Sequence, residues 1–372
     1  LQFEFFHVIF GHCQKKIAMT GKPFKVQAVA KMLGTSIDYV RRMIDESGIQ
    51  VARQETGPKT RLFSADNVFE LARYKANKRG RSQVSPFQTA GKRRSGKQTV
   101  ATIYAPKGGV GKTTLAGNLA CRFAMRGLKV LIIDLDFQGN LTMMYGYETE
   151  MTMDEAVAAG VHPSRIVESH FGTLTPHWPY GRRTLGEVVK KPYGEYGPHL
   201  IPADLTLDRL DTLLTFETFE GRNSELTIAR MLRDGMAGKD RHFDIAEYDL
   251  VLFDAAPAKS RITRGAILAS DYVISPVSME KFSTKALSYL SSVLTEMQEQ
   301  VDRSPELVIV GNFFDAGRVR TVGQMMTITQ TYNDAGLDQT TRRSEEFPKA
   351  LNTCLFYTSD DADEGACRGG RG

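Results

Sequence analysis

Ala105-Pro106-Lys107-Gly108-Gly109-Val110-Gly111-Lys112-Thr113-Thr114 decides the fold of this 372-residue chain. Ahead of it, Thr99–Tyr104 is apolar and β-branched and reads as a buried strand. Behind it, Leu115–Met125 reads as a helix whose inner face carries Leu115, Leu119, Cys121 and Ala124. Strand, glycine-rich turn and helix together are the context that a phosphate-binding loop requires. Glycines let the backbone curl until successive N–H groups point at one anion, and the helix N-terminus adds positive potential. Lys112 is then placed to reach the β- and γ-phosphates, and the Thr113 hydroxyl to bind Mg²⁺.

The generic pattern G-x-x-x-x-G-K-[ST] is not met, because Pro106 stands where its first glycine should be. The sequence K-G-G-V-G-K-T-T instead resembles the deviant Walker A motif of the ParA/MinD ATPases. Two further segments carry the same resemblance. Val130-Leu131-Ile132-Ile133 is a buried strand that delivers Asp134-Leu135-Asp136-Phe137-Gln138-Gly139-Asn140. This is similar to the D-x-D-P-Q-G-N switch of ParA proteins, with Phe137 in place of the proline. Tyr248-Asp249-Leu250-Val251-Leu252-Phe253-Asp254 looks like a Walker B strand. Carboxylates at the C-terminal ends of parallel strands lie where open α/β sheets bind ligand.

The resemblance spans about Thr99–Asn352 and implies an α/β P-loop NTPase with a mostly parallel, doubly wound sheet. It implies ATP and Mg²⁺ as cofactors, with Lys107, Gly108, Gly109, Val110, Gly111, Lys112, Thr113 and Thr114 around the nucleotide. Asn312, at the end of a late strand, would contact the adenine. Lys107 would reach the nucleotide held by a second subunit, Asp136 would polarise the attacking water, and Thr113, Asp134 and Asp254 would serve the metal. Lys107, Lys112 and Asp136 are thus the catalytic candidates.

Charge divides the chain. Residues 1–98 carry 19 Lys/Arg against 7 Asp/Glu, which leaves 29 against 36 for the remainder. A basic front on an acidic body points to nucleic acid as the partner of the front. Within it, Val26, Val29, Ala30 and Leu33 space one helix face, Gly34 ends it, and Ser36 can cap a second helix built on Ile37, Val40 and Ile44. Short β-like runs follow in Ile49–Phe63, then a helix from Ser64-Ala65-Asp66 to about Ala76. This order resembles the winged helix-turn-helix of MerR-like regulators. Ser36, Tyr39, Arg41 and Arg42 would face DNA from the second helix, and Arg53, Lys59 and Arg61 from the wing. Arg318 and Arg320 are candidates for a second, nonspecific DNA contact on the body.

The expected organisation is a leader at 1–18 that is non-native or disordered, a winged module at 19–76 and a basic linker at 77–98. The ATPase body at 99–353 and a disordered or artefactual tail at 354–372 complete it. The acidic and Arg/Gly-rich character of that tail also suggests that a C-terminal helix is missing. Four cysteines show neither C-x-x-C pairing nor metal spacing. No apolar run reaches the roughly 18 residues that a membrane span needs.

By resemblance the chain is a DNA-partition ATPase of the long, helix-turn-helix-bearing ParA class, cytoplasmic and nucleoid-associated. It would form an ATP-dependent homodimer, bind nonspecific and operator DNA, and answer to a centromere-binding ParB-type partner without touching a membrane. Its weak hydrolysis would rise when that partner engages. Two alternatives belong to other classes: an ATP-sensing repressor with little turnover, and a MinD-like membrane-positioning ATPase.

Overall fold

The structure, a computed structural model, describes residues 23–78 and 98–342 apart from positions 56, 58, 177, 220, 222, 280–283, 315–318 and 333–334. The expected leader, the tail, most of the basic linker and Arg318 lie outside these residues.

Strand β3 (Thr99–Ile103), strand β4 (Val130–Leu135) and strand β6 (Leu250–Ala255) are buried at every position. Continuous burial is what a parallel strand covered on both faces demands, and it explains why these segments read as unbroken apolar runs. Among the described residues they belong to a seven-stranded sheet of order β5-β4-β6-β3-β7-β8-β9. Here β5 is His199–Ile201, β7 Tyr272–Ser278, β8 Glu306–Phe314 and β9 Gly336–Arg342. Every pairing within that sheet is parallel.

Alternate residues of each strand feed different cores. Val130 and Ile132 face one apolar cluster with Leu119, Phe123 and Ala120, while Leu131 and Ile133 face another with Leu210, Leu232 and Ile262. The expectation of helices on both sides of a parallel sheet therefore matches the architecture.

The N-terminal unit comprises α1 (Val26–Met32), α2 (Ile37–Ser47), a two-stranded antiparallel ribbon (β1, Ala52–Arg53; β2, Arg61–Leu62) and α3 (Ala65–Lys78). The Ser36 side chain accepts the Tyr39 amide at 3.2 Å and caps α2, which ends on Gly48 in the left-handed region at φ 70°. Val40, Met43 and Ile44 from α2 pack with Phe63, Phe69 and Leu71. Each such fully buried large side chain contributes roughly 1.5–3 kcal/mol relative to exposure.

Candidate nucleotide site and basic face

Strand register builds the site. Asp254 on β6 pairs with Ile103 on one side and Asp134 on the other, so the exit of β3 and both carboxylates stand at one level across adjacent strands. From that level the loop after β3 runs into α4 (Lys112–Ala124), whose N-cap is Gly111 at φ 84°. Gly109 has φ 68°. These positive values suit glycine, because a side chain would be strained there whatever space surrounds it.

Lys112 is 8% exposed, and its Nζ donates to the Lys107 carbonyl at 3.2 Å. Burial lowers its pKa, and the charges of Asp254 and Asp136 counter that fall. A lysine folded over its own loop, facing carboxylates, is placed to exchange a carbonyl for phosphate oxygens.

The two strand-end aspartates differ in their satisfaction. Asp134 accepts the Asp136 amide at 3.1 Å through Oδ1, and the Thr142 amide and hydroxyl at 2.9 and 2.7 Å through Oδ2. The Thr142 hydroxyl in turn accepts the Ala203 amide at 2.9 Å. Burial nevertheless raises the Asp134 pKa to about 7. Asp134 thus ties the segment after β4 to its own strand and to the exit of β5. Asp254 has two buried carboxylate oxygens without a hydrogen-bond partner. Burial, then the charge of Asp134, pushes its pKa well up, with the adjacent Thr113 hydroxyl and Lys112 partly offsetting the rise. Orphaned carboxylate oxygens beside a threonine hydroxyl and a second aspartate form a hard, all-oxygen donor set, which fits Mg²⁺ and its water shell.

Asp136 begins a tight turn. Its Oδ1 accepts the Gln138 amide at 3.1 Å, and its carbonyl accepts Gly139 N–H at 2.8 Å. The carboxylate is partly exposed on the same side as Lys112, whose pKa it influences. Asn312 is 8% exposed and its amide donates to the Val110 carbonyl at 2.6 Å, so it touches the phosphate loop itself. The sequence reading passed over Thr142. Its burial among Leu141 and Met144 and its bonds to Asp134 and Ala203 emerge only in the fold.

The structure brings most basic-face candidates together, with their charges shared. Ser36 caps α2. Arg41 pairs with Asp38 at 3.1 Å, and the Arg42 guanidinium lies 4.9 Å from the Tyr39 ring centroid. Arg53 and Arg61 are cross-strand partners in the ribbon, and Arg61 reaches Asp45 of α2 at 2.9 Å. Lys59 is exposed in the turn between the ribbon strands. Arg320 falls in the helix Val319–Thr331.

A family profile described as an AAA domain (AAA_31) matches residues 98–308. The chain belongs to this family, and its relatives mark it as a P-loop protein of the ParA/MinD type. Protein IncC of Escherichia coli is 30% identical over 250 residues, covering 66% of this chain and 60% of that protein. The chromosome-partitioning ATPase Soj of Thermus thermophilus is 30% identical over 210 residues, covering 55% of this chain and 64% of its own. The chain thus spans under two thirds of the length of each. Among solved structures, one named Partition Protein aligns with a TM-score of 0.56 at 18% identity, over 90% of both chains. The cobyrinic acid a,c-diamide synthase of Mycobacterium smegmatis, solved with an ATP analogue and magnesium, aligns with a TM-score of 0.53 at 18% identity. That alignment covers 69% of this chain and 91% of the synthase. At such identities these two alignments speak for the fold. Among the described residues, no helix is long and apolar enough to cross a membrane.

Proposed function

We propose that the chain is a partition ATPase that binds Mg-ATP at the exit of β3, β4 and β6 and hydrolyses it slowly. The observation that carries this reading is the alignment of Asp254 and Asp134 with the exit of β3, where the glycine loop begins, with both Asp254 oxygens unpartnered. Thr113 and Asp254 would hold the water shell of Mg²⁺, which would supply charge neutralisation at the phosphates, while Asp134 fixes the neighbouring turn. Lys112 binds phosphate oxygens, and Asp136 orients the attacking water and accepts its proton. Asn312 would contact the adenine while bracing the loop through Val110. Lys107 acts across an ATP-dependent dimer of two such chains.

Asp136→Ala is expected to retain Mg-ATP binding while turnover falls ~10²-fold or more, the usual contribution of a positioned base. Calorimetry with a slowly hydrolysed analogue and a phosphate-release assay separate the two effects. Normal turnover would move the catalytic role elsewhere.

The N-terminal unit is read as a winged helix-turn-helix that binds an operator, with α2 in the major groove and the Arg53/Arg61 ribbon on phosphates. The body, including Arg318 and Arg320, binds DNA without sequence preference, so the protein resides on the nucleoid. A ParB-type partner stimulates hydrolysis and releases the dimer. A double change, Arg41→Ala with Arg42→Ala, should weaken binding to a duplex from upstream of the gene by roughly 1–3 kcal/mol per lost contact. ATP-dependent binding to an unrelated duplex should persist. Anisotropy titrations on both duplexes check this, and equal loss on both would remove the case for two DNA surfaces.

A further inference from the structure

The N-terminal unit is seated on the body through α3, which touches it at two places. Near the C-terminal end of α3, Ala76 packs against Gly127, just beyond α4. A Cβ on Gly127 would fall 2.3 Å from that of Ala76, and φ there is +86°. One turn earlier, Arg73 donates to the Gly127 carbonyl and lies 3.8 Å from Asp249, which precedes β6. In the N-terminal half, the Phe69 ring meets Tyr193 at 5.7 Å between centroids, and Tyr193 meets Tyr145 at 5.5 Å. Tyr145 directly follows α5 (Asn140–Met144) and donates to the Gly117 carbonyl of α4 at 3.3 Å. One apolar cluster contains Phe69, Leu71 and Ala72 of α3 together with Leu119, Phe123, Met144, Tyr145 and Tyr193.

Each attachment leads to a different edge of the nucleotide site. The Gly127 contact sits at the far end of the helix that begins with Lys112 and Thr113. The ring contacts lead through Tyr145 and α5 to the Asp136 turn, which Thr142 locks onto Asp134. Phe69 and Ala76 are two helical turns apart, about 10 Å along the axis. A small displacement of α5 relative to α4 therefore tilts α3 instead of merely translating it. Close-packed interiors pass on such displacements because they contain no slack.

We infer that α3 is the coupling seat through which nucleotide occupancy reorients the DNA-reading helix α2, with Tyr193 as the positioning residue between the Asp136 turn and Phe69. The inference rests on the proposed nucleotide reading and adds a route, contiguous in packed side chains, from that site to the basic face. The two attachments differ in reach: Gly127 reports on the end of α4, and Tyr193 reports through Tyr145 on α5 and on its contact with α4.

Hydrogen–deuterium exchange on the full chain, with and without Mg-ADP, tests it. Peptides from 105–114 report nucleotide binding and peptides from 65–78 report α3. In the unmodified protein both sets should slow, α3 by about threefold or more, as expected of a packed element whose local opening is suppressed. Tyr193→Ala should keep the protection at 105–114 and lose the nucleotide response at 65–78, while Tyr193→Phe, which retains the ring, should restore it. Arg73→Met, at a partly exposed position, weakens the other attachment without opening the aromatic cluster and should diminish the same response. Protection at 105–114 with α3 indifferent to Mg-ADP would overturn the coupling and leave the nucleotide site standing. An unchanged α3 response in Tyr193→Ala would overturn the role of Tyr193. No protection at 105–114 would overturn the nucleotide reading itself.

Discussion

Lys112→Ala should abolish useful nucleotide binding, with affinity for Mg-ATP falling ~10²-fold, the scale of a lost charge-assisted hydrogen bond of roughly 1.5–3 kcal/mol. The side chain is 8% exposed, so its charge acts from a site with little water to screen it. It also donates to the Lys107 carbonyl, and removing it frees the loop that has to present its amides to phosphate. Asp254 and Asp136 would at the same time lose the cation that faces them. Titration calorimetry with Mg-ATP analogue measures the change. Retained tight binding would show that the phosphates are held by backbone amides and Thr113, and the assignment of Lys112 would fall.

The second large effect has two signs. Asp254→Asn should remove Mg²⁺-supported turnover and yet stabilise the ligand-free chain near pH 8. In the fold, burial raises the Asp134 carboxyl to about 7 and, with the charge of Asp134 beside it, pushes Asp254 well up from the ordinary value of 3.8. Between those values the folded chain holds protons that the unfolded chain has lost. Stability therefore falls as pH rises from about 4 through 7, and both carboxyls contribute to that fall. A buried polar group without a partner costs roughly 1–3 kcal/mol, and more when charged. Asparagine keeps the shape and carries no charge, so it should flatten that slope. Thermal midpoints between pH 5 and 8, with and without Mg-ADP, follow both effects. Mg-ADP should flatten the wild-type slope and leave the variant almost unmoved. An equally steep variant that is less stable at pH 8 would mean that the Asp254 charge is compensated in the ligand-free protein.

The loop and strands that frame the candidate nucleotide site were largely legible because their signals are local. Glycines at 109 and 111 answer to backbone angles, and the runs Val130–Ile133 and Leu250–Phe253 have the unbroken apolar character of strands covered on both faces. Asp134 and Asp254 follow as the polar residues at the ends of those runs. What remained hidden was set by contacts between distant segments. Nothing near Asn312 announces that its amide will reach Val110, and nothing near Thr142 announces the Ala203 amide. The arginines of α2 and the ribbon were read as facing DNA, and the fold sets Asp38 beside Arg41 and Asp45 beside Arg61. A helical-face reading places Asp38 with the arginines, but the pairing of Asp45 with Arg61 joins segments 16 residues apart and is set by the fold. The seat of α3 on Gly127 was equally invisible, since a glycine after a helix reads as an ordinary cap.

The strand order has a consequence for how the chain comes to be folded. β6 lies between β3 and β4, although both precede it by a long stretch of chain. During synthesis β3 and β4 emerge first, each apolar on both sides, and neither can pair with the other in its final place. The sheet can close only after residue 255 has left the ribosome. Until then two exposed strand edges wait for a partner that does not yet exist, the situation in which large parallel sheets fold slowly and invite association. The aspartate pair forms in that same step, before β7, β8 and β9 complete the sheet and bring Asn312 to the loop. Holding back translation before Leu250 should leave a nascent chain that depends on chaperones and has no phosphate site to be rescued by ligand.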